Sequence, residues 1–454
     1  MNVRQAIIPF YLLLCLLLGG ASAAGYWANM ILQLLALPIL VWALIERRPE
    51  PMPPAARQLL AICALGVLLI AVQLIPFPPE FWAGLPGHGQ FAEMLRAMGV
   101  ALPWLPLSLA PSATIASALW LLPALAVLVG MVRLEAYRPL WITWILIAFA
   151  FASILLGTLQ ISGEQGSAWY LYAISNFGMT SGFFANSNHL ATLLLATIPF
   201  VANLARPRGG RRMALSRSSG RLFILAGILM VISAGLLMNG SLAGLGLLLP
   251  VMAGSVLALF FGSGVRWWAP AGGLVLLVAG AALALSAPLQ NELANQNGTP
   301  TELARTTIFP LTWRAARDFL PAGSGIGTFA ELYRQYEPPG MISRTYINHA
   351  HNDYLELLLE TGVAGIALVL LFLAWWLVRT GTIWSAAGNG YARAATIASA
   401  AILAHSIVDY PLRTAALSAL FAACCAMMVL RRPAGQSIEV AETAKAKPRH
   451  VVAN

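Results

Sequence analysis

The strongest constraint in this sequence is a succession of apolar runs, each long enough to cross a bilayer and almost free of charge. A helix needs about 20 apolar residues to span the hydrocarbon core. Only 10% of the 454 residues are charged, against about 25% in a typical soluble domain. With a mean hydropathy of +0.76, most of the surface must face lipid. Soluble enzymes, disordered chains and disulfide scaffolds are excluded. A porin-type barrel is excluded too, because the runs are continuously apolar rather than alternating.

The expected fold is all-α: a polytopic membrane protein of about 12 transmembrane helices with one large outer loop. The spans are placed near 6–24, 28–45, 58–76, 113–132, 139–160, 188–204, 222–238, 242–262, 268–287, 361–378, 394–410 and 412–430. The first run, with Arg4 before it and Ala-Ser-Ala-Ala after it, resembles a signal peptide. Because a second run follows at once, it reads as a retained anchor. Cys15, Cys63, Cys424 and Cys425 all fall in apolar runs without metal-ligand spacing, as packing residues do. Residues 433–454 read as a disordered tail.

The net charge of +10 could suggest nucleic acid, but in a membrane protein basic residues first set orientation. With a cytoplasmic N-terminus, 20 of the 27 basic residues fall on the inside, including the cluster Arg206, Arg208, Arg211, Arg212, Arg217 and Arg221. Both termini are then cytoplasmic. Seven basic residues face outward: Arg96, Arg305, Arg314, Arg317, Arg334, Arg344 and Arg413. Five of these lie in the loop 288–360, where binding an anion would explain them. No ionisable residue sits at the middle of a span, where an ion-coupled transporter needs one. Any chemistry therefore belongs at the outer face.

Three outer segments carry candidate groups. In the large loop, TWRAARDFL has helical character with Trp313, Ala316 and Phe319 or Leu320 on one face, ending at Gly323–Gly327. That GSGIG run admits a tight turn or a phosphate cradle. HAHNDYLELLLETG follows, where Asn352 or Asp353 caps a helix with Leu355, Leu358 and Leu359 on its buried side. His351 is then held at the helix start. An imidazole titrates near neutrality, at roughly 6.5, so it can take a proton from a hydroxyl. His349 makes a His-x-His pair that could instead hold zinc, although the loop offers no third His and no Cys. Asn186, Asn188 and His189 stand at a helix entrance, where N-capping is their plain role. His405, Asp409 and Arg413 close the eleventh span, with His405 and Asp409 spaced to share one helical face.

Together these segments resemble the O-antigen ligase/polymerase superfamily of inner-membrane glycosyltransferases. Its histidine signature is similar to His351-Asn352, nine residues, then Gly362-Val363-Ala364-Gly365. Its arginine ahead of a Gly-x-Gly-x-Gly-Thr-Phe turn is similar to Arg305 ahead of Gly323–Phe329, and its Asn-x-Asn-His element resembles Gly182–Ala191. HSIVDYPLR looks like the signature of the exopolysaccharide-polymerase branch. One position departs: Met179 stands where the family often has an arginine, three residues before Gly182. Its diphosphate contact then falls to Arg305, Arg314 or Arg344, or else the donor differs.

The resemblance implies a GT-C-type fold, with residues 1–160 as N-terminal helices and 161–432 as the ligase-related domain. It implies transfer of a glycan from an undecaprenyl diphosphate carrier to a hydroxyl at the periplasmic face, with inversion and with no metal or cofactor. His351 would be the base, and Arg305, Arg314 and Arg344 would bind the donor diphosphate. Asn186, Asn188, His189, His349, Asn352, Asp353, His405, Asp409 and Arg413 would support them. The partners implied are the lipid-linked donor, a glycan or lipid-linked acceptor and membrane lipids, not nucleic acid. Polymerisation of repeat units is the favoured activity. Ligation to lipid A–core, protein O-glycosylation and, from another class, a lipid-linked saccharide flippase are the alternatives.

Overall fold

Eight helices among the described residues are long and apolar enough to cross a membrane, each at an expected position. The computed structural model describes residues 3–22, 26–47, 50–163, 167–206, 215–260, 300–339, 347–386 and 389–429, with 275 and 278. Apart from 275 and 278, the expected span 268–287 lies outside the described residues, as does the tail 433–454. In chain order the first helices are α1 (Ile7–Leu18), α2 (Tyr26–Ile45) and α3 (Pro54–Gln73). After the short α4 (Pro79–Trp82) and α5 (Gly89–Ala97) come α6 (Pro111–Trp120) and α7 (Leu122–Val129). A π turn at Gly130–Leu134 follows α7, and α8 spans Pro139–Ser162. Then follow α9 (Ser187–Leu204), α10 (Leu215–Asn239), α11 (Leu242–Phe260), α12 (Pro300–Phe319) and α13 (Phe329–Tyr336). The chain closes with α14 (Asp353–Ser385), α15 (Gly390–His405) and α16 (Ala415–Val429). The only sheet among the described residues pairs Pro76–Phe77 antiparallel with Leu105–Pro106.

The other three expected spans are helices of 12, 16 and 15 residues, namely α1, α15 and α16. α15 and α16 are almost wholly buried in protein, and α1 is half buried. At the end of α1, Gly19 and Gly20 thread between two backbones: Ala416 N donates to Gly19 O, and Ala185 N to Gly20 O, each at 3.1 Å. A Cβ on Gly20 would strike the Phe183 carbonyl. The glycines of the signal-like segment thus serve a close backbone approach.

α9 is the least apolar of the eight long helices and the most enclosed, with 89% of its residues buried against 17–50% for the others. A helix wrapped in protein need not be apolar all round, and small residues let its neighbours approach. Here α9 contacts α8, α10, α11 and the alanine-rich α15, and its Ala191, Thr192, Ala196 and Thr197 are buried. α16 packs on α1, α7 and α15, burying Cys424 and Cys425; Cys15 is buried on α1 and Cys63 is half-buried.

The large loop is folded. A second apolar cluster of Ile308, Phe319, Phe329, Tyr333, Ala350 and Leu359 joins α12, α13 and the start of α14, with Phe91 packed against it. Ala315, Ala316 and Phe319 form the buried face of α12 while Trp313 is 48% exposed, so the inward face is turned from the expected Trp313–Ala316–Phe319 stripe.

Gly362 is the pivot of this end. It sits inside α14 at φ +59°, ψ −148°, a break that only glycine adopts readily. The chain from Pro321 to Gly323 passes against the break. A Cβ on Gly362 would run into the Pro321 carbonyl, and one on Gly323 (φ +81°) would lie 2.6 Å from Gly362 N. Gly362→Ala is therefore expected to lower stability by about 1–3 kcal/mol or more. Gly381→Ala, in the same helix with open space around it, should melt like the wild type. Tryptophan-fluorescence melting in detergent compares the two.

Candidate active site

The site is assembled where the N-terminus of α14, the N-terminus of α9 and the turn after α15 converge. Asn352 caps α14: its Oδ1 accepts from Tyr354 N (3.1 Å) and Leu355 N (3.0 Å). Just before it, His351 has φ +52°, an uncommon conformation outside glycine. The turn aims His351 Nδ1 at Asp409 Oδ1, 2.9 Å away. Asp409 is fully buried, whereas the His351 side chain keeps 21% of its surface open. The other Asp409 oxygen accepts from Asn186 Nδ2 at 3.0 Å. Asn186 also caps α9 through Asn188 N (2.9 Å), so its plain role and its site role coincide.

α15 ends at His405, so Asp409 lies in the following turn rather than on a shared helical face. The expected i,i+4 helical pairing is replaced by a backbone turn in which Asp409 N donates to His405 O at 3.0 Å. His405 Nδ1 instead meets Thr192 Oγ1 of α9 at 2.8 Å. Asn188 Oδ1 accepts from Ser241 Oγ at 2.6 Å. Tyr410 forms the wall of the site, with ring centroids 4.4 Å from His349, 4.9 Å from His351 and 4.9 Å from His189. Burial, reinforced by the Asp409 charge, pushes its phenol pKa up, so the ring stays neutral. His189 is buried, and neither ring nitrogen has a hydrogen-bond partner among the described residues.

The two loop histidines turn to different carboxylates. His349 Nδ1 lies 2.8 Å from Glu356 Oε1, whose other oxygen accepts from Ala350 N at 2.7 Å. Behind Glu356 is a charge cluster that sequence reading missed. Arg413, in the 3-10 turn Pro411–Arg413, reaches Asp353 (3.5 Å), Glu356 (3.4 Å) and Glu360 (3.0 Å). Burial alone would lower the Arg413 pKa, but the Glu356, Glu360 and Asp353 carboxylates outweigh it and hold the guanidinium charged. The buried side of α14 is thus acidic, with Leu359 among the acids and Leu355 and Leu358 only half-buried. The spacing Asp353, Glu356, Glu360 (i, i+3, i+7) was the available signal, since it places all three on one helical face.

The glycine run is a turn whose amides are already occupied. Gly325 N donates to Glu360 O (2.9 Å), Ile326 N to Gln73 Oε1 (3.0 Å) and Gly327 N to Glu360 Oε1 (2.8 Å). No amide in that set is left for a phosphate. Arg314 is exposed on α12; the side chain of Arg305, and Arg344, lie outside the described residues. Met179 lies beside the start of α9, with Ser187 Oγ 3.8 Å from its sulfur.

Residues 225–370 match the O-antigen ligase family model. This region is similar to the O-antigen ligase family. That likeness covers less than half of the chain; members of the family are glycosyltransferase-like enzymes acting on lipid-linked glycans. The match takes in His351, Asn352, Gly362 and Gly365; Asn186, Asp409 and Arg413, which complete the site in space, lie beyond it. Comparison with curated proteins gave no match.

Removing one partner of a buried ion cluster strands the others, at about 3–5 kcal/mol. Arg413→Gln should therefore lower the melting temperature sharply and reduce folded yield on size-exclusion chromatography. Arg413→Lys keeps the charge but not the fork, and should lose less.

Proposed function

We propose that this protein is an inner-membrane glycosyltransferase that polymerises lipid-linked repeat units, for O-antigen or exopolysaccharide, at the periplasmic face. The observation that carries the reading is the His351–Asp409 pair at 2.9 Å, with Asp409 buried and His351 partly open. A carboxylate on Nδ1 selects the tautomer protonated there and leaves the Nε2 lone pair free as a base. Asn186, bonded to the far oxygen of Asp409, keeps that carboxylate aligned.

In the proposed reaction the acceptor hydroxyl gives its proton to His351 Nε2 as its oxygen bonds to the donor's anomeric carbon. The bond from that carbon to the diphosphate oxygen breaks on the opposite face, and the electron pair leaves with the diphosphate. One displacement inverts the anomeric centre. Asp409 stabilises the imidazolium, and arginines of the large loop, with Arg305, Arg314 and Arg344 the candidates, neutralise the departing diphosphate. Arg413 is not among these, because three carboxylates already hold it. The HAHNDYLE and HSIVDYPLR segments favour polymerisation over ligation.

General-base catalysis is worth about 10²–10⁴-fold, so His351→Ala should remove nearly all glycan polymer at unchanged protein level. Asp409→Asn should reduce it strongly, and Arg305→Ala should weaken donor use. Glycan ladders on gels are the readout: single repeats on lipid A–core indicate a lost polymerase, and unattached lipid-linked polymer a lost ligase. Full-length polymer from both His351→Ala and Arg305→Ala would sink the catalytic assignment.

A further inference from the structure

α3 and α14 converge at the end of the bundle that holds the site. There Gln73, the last residue of α3, donates Nε2 to Glu360 O at 2.9 Å. Towards their other end a groove of about 780 Å³ opens between them, walled by Ile62, Leu65, Leu371, Ala374 and Trp375. Leu65 and Leu371 are each 48% exposed, so the groove faces outward among the apolar residues that meet lipid. Its base is held by Trp375 Nε1, which donates to Ala55 O at 3.2 Å.

Arg379 closes the groove. Its Nε donates to Met428 O at 2.6 Å, which fixes the guanidinium plane, while its two terminal nitrogens have no hydrogen-bond partner among the described residues. No Asp or Glu lines the groove, and Arg57, beside the lining residue Gln58, is exposed. Arg379 lies 17 residues beyond the Gly362 break of α14, roughly 26 Å at 1.5 Å per residue, towards the far membrane boundary from the site. A fixed, unneutralised guanidinium beside an apolar channel has the donor pattern that recognises a phosphate bidentately.

We infer that the α3–α14 groove seats one anionic phospholipid, its phosphate on Arg379 and an acyl chain along Leu65 and Leu371. The lipid fills the space between two helices that at their other end hold the 323–327 turn through Gln73 and Glu360. This inference stands independently of the proposed reaction.

The test uses the full-length protein in nanodiscs of phosphatidylcholine with and without phosphatidylglycerol, with retained lipid measured by native mass spectrometry. The wild type should retain phosphatidylglycerol in preference to phosphatidylcholine. Arg379→Gln should cut that retention about fivefold, as expected for one basic contact at a membrane surface. Ala374→Phe, which fills the groove, should lose the retained lipid whatever its head group. The inference is overturned if the wild type shows no preference between the two lipids, or if both variants retain lipid like the wild type. It is also overturned if the groove proves to be occupied by a second copy, seen as a lipid-free dimer that Ala374→Phe dissociates.

Discussion

One buried arginine organises the end of the bundle that carries the site. Arg413 enters from the turn between α15 and α16 and meets Asp353, Glu356 and Glu360 on the inward side of α14. Each carboxylate also makes a second contact. Asp353 Oδ2 lies 3.4 Å from Leu412 N, Glu356 holds His349 and Ala350, and Glu360 holds the Gly327 amide. A buried charge is tolerable only when its partners and remaining hydrogen bonds are satisfied, so these segments are locked together. Asp409 is four residues before Arg413, on the same turn. Fixing Arg413 therefore also fixes the carboxylate that meets His351.

The glycines around Gly362 serve the same cluster by another route. With α14 broken at Gly362, the chain at Pro321–Gly323 can pass against the break, and the glycine run then donates its amides to Glu360 and Gln73. This gives a physical reason for the His351-Asn352 start and Gly362, with nine residues between them, to occur together in this chain. The first part caps and aims the helix, and the second admits the loop that braces it.

Much of the fold was legible in the sequence. Twenty-residue apolar runs admit few structures in lipid, and eight of the expected positions are long apolar helices. Length was less legible: the expected spans at α1, α15 and α16 are shorter helices, and composition does not distinguish a protein interior from lipid. Asn352 as a cap was readable from its position before a helical pattern, and it does cap α14. Leu355 and Leu358 were misplaced because apolar periodicity assumes that the buried side is apolar, whereas here an arginine from another segment makes acids the buried residues.

By itself the sequence determined that this chain crosses a membrane as helices, and it determined a histidine at a capped helix start, because both follow from local patterns of a few to twenty residues. Tertiary structure alone decided that His351 meets Asp409, that Asn186 supports that carboxylate, and that Arg413 is an internal counterion. Those partners are 58, 223 and up to 60 residues apart in the chain. Contacts between helices depend on how their faces pack, and a one-dimensional pattern specifies a face but not its partner.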